Sequence, residues 1–165
     1  MEHIITLNPL PETLEEMKQM KEANLLDPYE TAALTVAALN VYPKNKEESI
    51  RMLDYLRGPR PLSPLEKQFI NDRFMDGKDY LARSYMGGSS PDNNYTPASP
   101  VTVRMKDSSA PIAEEGYKIV DLYSSGADST RSVTLRLKPS ENKWYLWEQN
   151  LLAGIRVPKA QDPWA

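Results

Sequence analysis

The stretch YSSGADSTRSVTLRLK, residues 123–138, joins a small polar loop to a strand, and its second half decides the fold. In SVTLRLK, residues 132–138, Val133, Leu135 and Leu137 alternate with Thr134, Arg136 and Lys138. Such alternation marks a strand with one face buried and the other in water, as in an antiparallel sheet covered on one side. VTVRMK (101–106) repeats it, with Val101, Val103 and Met105 against Thr102, Arg104 and Lys106. YKIVDLYS (117–124) is apolar in both phases, and KWYLWEQ (143–149) sets Tyr145 and Trp147 against Trp144, Leu146 and Glu148. Short connections predict a four-stranded antiparallel meander.

Placing Val120/Leu122 and Tyr145/Trp147 on the same side as the alternating valines and leucines gives one continuous apolar face. The opposite face then carries Arg104, Asp121, Arg136 and Glu148, a ladder of alternating charge.

Upstream the punctuation is helical. Pro11 precedes ETLEEMKQMKEA, where Leu14, Met17 and Lys21 mark successive turns. DPYE places Asp27 as N-cap, Pro28 at the first helical position and Glu30 as a reciprocal cap. That helix runs through Leu34, Val36, Ala37 and Val41 to Pro43 with little polar surface, so it is expected to be central. NKEE repeats the cap with Asn45 and Glu48 ahead of Ile50, Leu53 and Leu56; SPLE repeats it with Ser63 and Glu66 ahead of Leu65, Phe69, Ile70 and Phe74. Between helices and sheet, residues 78–100 are turn-rich but hold Tyr80, Leu81, Tyr85 and Tyr95, which predicts an ordered draped loop. The expected architecture is a single α+β domain over 1–165: about four N-terminal helices (1–77) packed on one face of a C-terminal four-stranded meander and tail (101–165).

Composition narrows the chemistry. A net charge of −3 gives no bulk attraction to nucleic acid or anionic lipid. Cysteine is absent, which removes thiol nucleophiles, disulfides and thiolate metal sites and fits a cytoplasmic location. The first residues show no signal-peptide pattern, and no run approaches a membrane span. The lone His3 reads as an exposed terminal residue, so neither a metal site nor a histidine triad is expected. Gly87-Gly88 lacks the context of a phosphate loop, and no cofactor motif is present.

Three constellations could carry function. Asp121 and Glu148 could share a sheet face as paired carboxylates, against a plain charge ladder. Ser124, Ser125, Gly126, Ser129 and Arg131 could cradle an anion, against a structural loop in which Asp128 pairs with Arg131. Tyr85, Tyr95, Trp144 and Trp164 could contact a protein partner, against ordinary core packing.

The segments SYMGGSSPDNNYTPASPVTVRM, GYKIVDLYSSGADSTRSVTLRLK and WYLWEQNLLAGIRVPKAQDPWA, with YPKNKEESIRMLDYLRGPRPLSPLEKQFINDRF before them, resemble an uncharacterised family of bacterial proteins, chiefly from anaerobic Gram-positive gut bacteria. The resemblance covers about 42–165 and implies no activity. A weaker likeness is to NTF2-like folds, in which helices line a curved antiparallel sheet and a late strand bears tryptophan. The predicted order here, all helices before all strands, departs from that pattern. The favoured expectation is a non-enzymatic binding or protein-interaction module. The alternative is a small-ligand pocket or an NTF2-like hydrolase using Asp121 or Glu148.

Overall fold

The computed structural model describes residues 1–110 and 114–165. Its sheet has five antiparallel strands in chain order: β1 (Glu2–Leu7), β2 (Val101–Asp107), β3 (Tyr117–Leu122), β4 (Arg131–Lys138) and β5 (Lys143–Gln149). Four strands were expected, and the fifth corrects the order as well as the count. EHIITL pairs along β2 from Glu2 opposite Lys106 to Leu7 opposite Val101, so the helices are inserted between the first and second strands. As an edge strand it buries only Leu7 fully, and so short an alternation carries little signal.

The helices are α1 (Leu14–Lys18), α2 (Pro28–Val41), α3 (Lys46–Arg57) and α4 (Pro64–Phe74). Asp27, Asn45 and Ser63 each accept a main-chain N–H in the first turn that follows, as their sequences predict. Among the three, only Ser63 with Glu66 forms the reciprocal box. Glu48 accepts instead from the Leu14 N–H at 2.9 Å, tying α3 to α1. The first expected helix is shorter than read: it ends at Lys18, and Lys21–Asn24 form a separate 3-10 turn. α2 is the centre of the core, with every residue from Thr31 to Leu39 buried. Its Thr31 hydroxyl is satisfied by the Trp144 carbonyl at 2.9 Å.

Val103, Met105, Val120, Leu122, Val133 and Leu135 form the covered face, as expected. β5 has the opposite phase. Leu146 is buried opposite Leu135, whereas Trp147 meets Tyr117 edge-on at 5.5 Å on the open face. Both phases of β5 carry aromatics, so alternation alone could not choose between them. The register shifts between Thr134 and Leu135, leaving Trp147 as the extra residue of a bulge.

Asp121 does lie on the open face, opposite Lys106 and Ser132. The expected charge ladder does not form, because β1 supplies Glu2 as the bidentate partner of Arg104, at 2.7 and 2.9 Å. Arg136 instead covers the rings of Tyr117 and Trp147.

His3 is not an exposed terminal residue. Its ring stacks on Tyr29 at 3.6 Å, with Nε2 at 3.9 Å from Asp107. The Tyr29 hydroxyl donates to Asp107, and Lys118 lies 3.2 Å from the same carboxylate. The Tyr29 hydrogen bond, then Lys118, hold the Asp107 carboxyl below its ordinary range. A carboxyl depressed by folding adds stability above its unfolded pKa and loses it as pH falls through the folded value. Thermal melts of Asp107→Asn should therefore show a lower Tm than wild type near neutral pH, with the gap closing below about pH 4. A gap independent of pH would assign the loss to packing rather than charge.

Candidate functional site

β5 lies at an edge of the sheet, so one side of its backbone has no strand partner. Near its start this edge is closed: the Trp144 N–H donates to the Leu25 carbonyl at 2.7 Å. In an antiparallel ladder, alternate residues aim both main-chain polar groups away from the neighbouring strand. Trp144 is such a residue, so Leu146 is the next.

From Leu146 onward the edge borders a groove roofed by the α3–α4 turn and α4. Gly58 shapes that turn. It has φ of 61°, and a Cβ there would lie 2.5 Å from the Tyr145 ring, so a side chain is excluded on both counts. Pro59 and Pro61 then flank Arg60, whose guanidinium donates to the Trp147 carbonyl and lies 3.9 Å over the Trp147 ring.

The groove has two basins that share Arg57, Arg60, Leu146 and Trp147. The first holds about 420 Å³ between β5 and α4, with Leu53, Leu62, Leu65, Phe69 and Ile70 on its apolar walls. The second holds about 360 Å³ between the 57–61 turn and the β4–β5 hairpin, and adds Arg136, Lys138 and Tyr145.

α4 stands over the first basin with little of its surface buried. Ile70 is its only buried residue, whereas Leu65 is 80% and Phe69 47% exposed. Glu66 makes the central tie, accepting from the Ser63 N–H at 3.0 Å and from Arg57 at 2.8 Å. Burial works against the Arg57 charge, and Glu66 works for it. The Glu66 carboxyl is itself held low because the Ser63 cap and Arg57 outweigh the effect of burial. At the second basin, burial and then Glu141, which accepts from the Tyr145 hydroxyl at 2.6 Å, push that phenol up to about 12.

Apart from Glu148, the expected site residues fall elsewhere. Arg131 is turned away from Asp128: its guanidinium donates to the carbonyls of Ala153, Gly154 and Ser129 and to the Ser129 hydroxyl. Ser124 bonds Ser84, and Ser125 bonds the Ser84 carbonyl and approaches Ser89. Gly126 sits against Tyr95 and Ile155, while its carbonyl accepts from the Arg156 N–H at 2.9 Å. The donors that suggested an anion cradle fasten the loop to residues 84–89 and to the tail. Asp128 pairs with Arg156 at 2.9 Å.

Tyr85 and Tyr95 are corrected from partner contacts to core, at 2% and 0% exposure. Trp144 packs partly buried against the core, and Trp164 is 92% exposed on the tail. Glu148 lines the first basin, whereas Asp121 lies across two strands and two residues of register, on the order of 12 Å away along the backbone. The pair is not assembled as a double-carboxylate centre. Among the described residues no cluster of three acidic or histidine side chains could hold a metal, and no helix is long and apolar enough to cross a membrane.

Sequence reasoning missed Arg57, Arg60, Leu65 and Phe69 as surface. The available signals were the RGPRP run at 57–61, which concentrates two guanidiniums in a rigid turn, and the two apolar phases of α4. No curated protein and no solved structure matches the chain. The family model described as Domain of unknown function (DUF6935) matches residues 9–159, beginning well before residue 42, where the resemblance in the sequence begins. With both basins and α1–α4 inside the matched residues, this chain belongs to the DUF6935 family.

Proposed function

We propose that this chain is a non-enzymatic binding module that takes up an extended segment of a partner protein along the outer edge of β5. The observation that carries this reading is an edge strand without a strand partner beside exposed apolar side chains. By alternation from Trp144, Leu146 aims its main-chain groups away from β4 at the floor of the groove, where it is itself buried, while Leu65 and Phe69 stand exposed on the facing helix. A segment added as a strand would hydrogen-bond that edge and set alternate side chains in the apolar basin. The occupant is therefore an extended polypeptide with apolar residues at every second position.

The test is selection from a displayed random peptide library. Enriched peptides should show apolar alternation and protect the β5 amides against hydrogen exchange. Covering a Phe or Leu side chain contributes about 1.5–3 kcal/mol, so Phe69→Asp should weaken the selected peptides by roughly tenfold or more. Phe69 is exposed, and the variant should melt as wild type does. Failure to enrich any pattern, or equal affinity for Phe69→Asp, would overturn the reading.

A further inference from the structure

We propose that the second basin binds an oxyanion, a carboxylate or phosphate group, through the guanidiniums of Arg60 and Arg136. This goes beyond the peptide reading and requires nothing of the apolar basin.

The lining of this basin includes Arg57, Arg60, Arg136 and Lys138 and no Asp or Glu, in a chain whose acidic residues outnumber its basic ones, 23 to 20. Two of the four cations are neutralised from just outside it. Glu66 takes Arg57 at 2.8 Å, and Glu141 takes Lys138 at 2.8 Å. Among the described residues no carboxylate lies within 4.0 Å of Arg60 or Arg136.

These two are held by stacking. Their guanidinium carbons lie 3.9 and 4.7 Å from the centre of the same Trp147 ring. A guanidinium fixed on an aromatic face is oriented through its π surface, so its in-plane N–H groups stay available. Arg60 gives one of them to the Trp147 carbonyl, and the Arg136 guanidinium shows no hydrogen bond to any described residue. Pro59 and Pro61 restrain the turn that carries Arg60, and the β-bulge fixes Trp147. Two guanidiniums thus rest on one indole with no carboxylate in ion-pair contact, and each fork can take an oxyanion through paired N–H groups.

The experiment is a titration of the full chain followed in ¹H–¹⁵N spectra, reading the indole N–H of Trp147 and the Nε–H of Arg60 and Arg136. Inorganic phosphate and glutarate are added separately at constant ionic strength held with chloride. Wild type should show saturable shifts at these three groups, as should Arg51→Gln, a change at a solvent-exposed arginine paired with Glu48. Arg60→Gln and Arg136→Gln, both at exposed positions, should bind about tenfold more weakly. Saturation by phosphate alone identifies a phosphate site, by glutarate alone a carboxylate site, and by both an oxyanion site that does not discriminate. Shifts that never saturate, or that match wild type in Arg60→Gln and Arg136→Gln, overturn the proposal.

Discussion

Tyr95→Ala should cost the fold about 3–5 kcal/mol, a large loss for a single loop residue. Tyr95 is fully buried, stacks on Tyr80 at 5.4 Å, and donates its hydroxyl to the Arg156 carbonyl at 2.6 Å. It therefore joins the connecting loop to the tail beneath the 124–131 loop. It does so from a left-handed backbone, with φ of 52°, a conformation held only because the surroundings over-determine it. Thermal melts should fall by roughly 6–20 °C for a chain of this size. Tyr95→Phe keeps the ring and orphans one carbonyl, so its loss should be about 1–3 kcal/mol. Gly126→Ala approaches the same contact from the other side. Its methyl group runs into the Tyr95 hydroxyl and Ile155, and overpacking of this kind costs about 1–3 kcal/mol. A Tyr95→Ala protein that melts with wild type would show that the loop and tail are held by other contacts.

Glu66→Ala is the second large effect, at about 3 kcal/mol. The change removes the carboxylate facing Arg57, whose side chain is 5% exposed, and breaks the reciprocal cap of α4. Leaving a buried guanidinium without its counter-charge is costlier than losing the pair as a whole. The Glu66 end is 39% exposed, and this solvent screening keeps the figure at the low end for a buried pair. Because Ile70 is the only buried residue of α4, the loss should be local before it is global. Hydrogen exchange across 64–74 should accelerate, and peptides selected on wild type should lose affinity. Glu66→Gln keeps an acceptor for the cap and should lie between the two. Unchanged protection of α4 would show that Ile70, Asn71 (which accepts from the Tyr42 hydroxyl at 3.0 Å) and Phe74 (stacked on Tyr42 at 4.8 Å) hold the helix without the ion pair.

Much of the fold was legible because local chemistry and tertiary packing agreed. Asp27, Asn45 and Ser63 cap as their types require, and strict alternation in β2 and β4 fixed which face is covered. The parts that were not legible are those in which two readings of one segment had equal local support. β5 carries aromatics in both phases, and the choice of Leu146 was made by Leu135 and the bulge. α4 has apolar residues on two faces, and only the third dimension shows that Ile70 points inward while Leu65 and Phe69 do not. The groove draws on 53–70 and on 136–150, so no local window contains it. The 124–131 loop misled for the opposite reason. Its donors are real, but their acceptors are chain carbonyls from distant residues, which a sequence pattern does not display.

The pairing of β1 with β2 has a kinetic consequence. Glu2 meets Lys106 across roughly 100 residues, and closing a loop of that length costs on the order of 4 kcal/mol in chain entropy before any ladder bond forms. The β2–β5 meander closes through much shorter connections, so it is expected to assemble first and β1 to dock last. Until it docks, β2 is an open edge. A second copy of the chain would meet that edge unpaired, and exchange of β1 between copies is the misassembly expected of this topology.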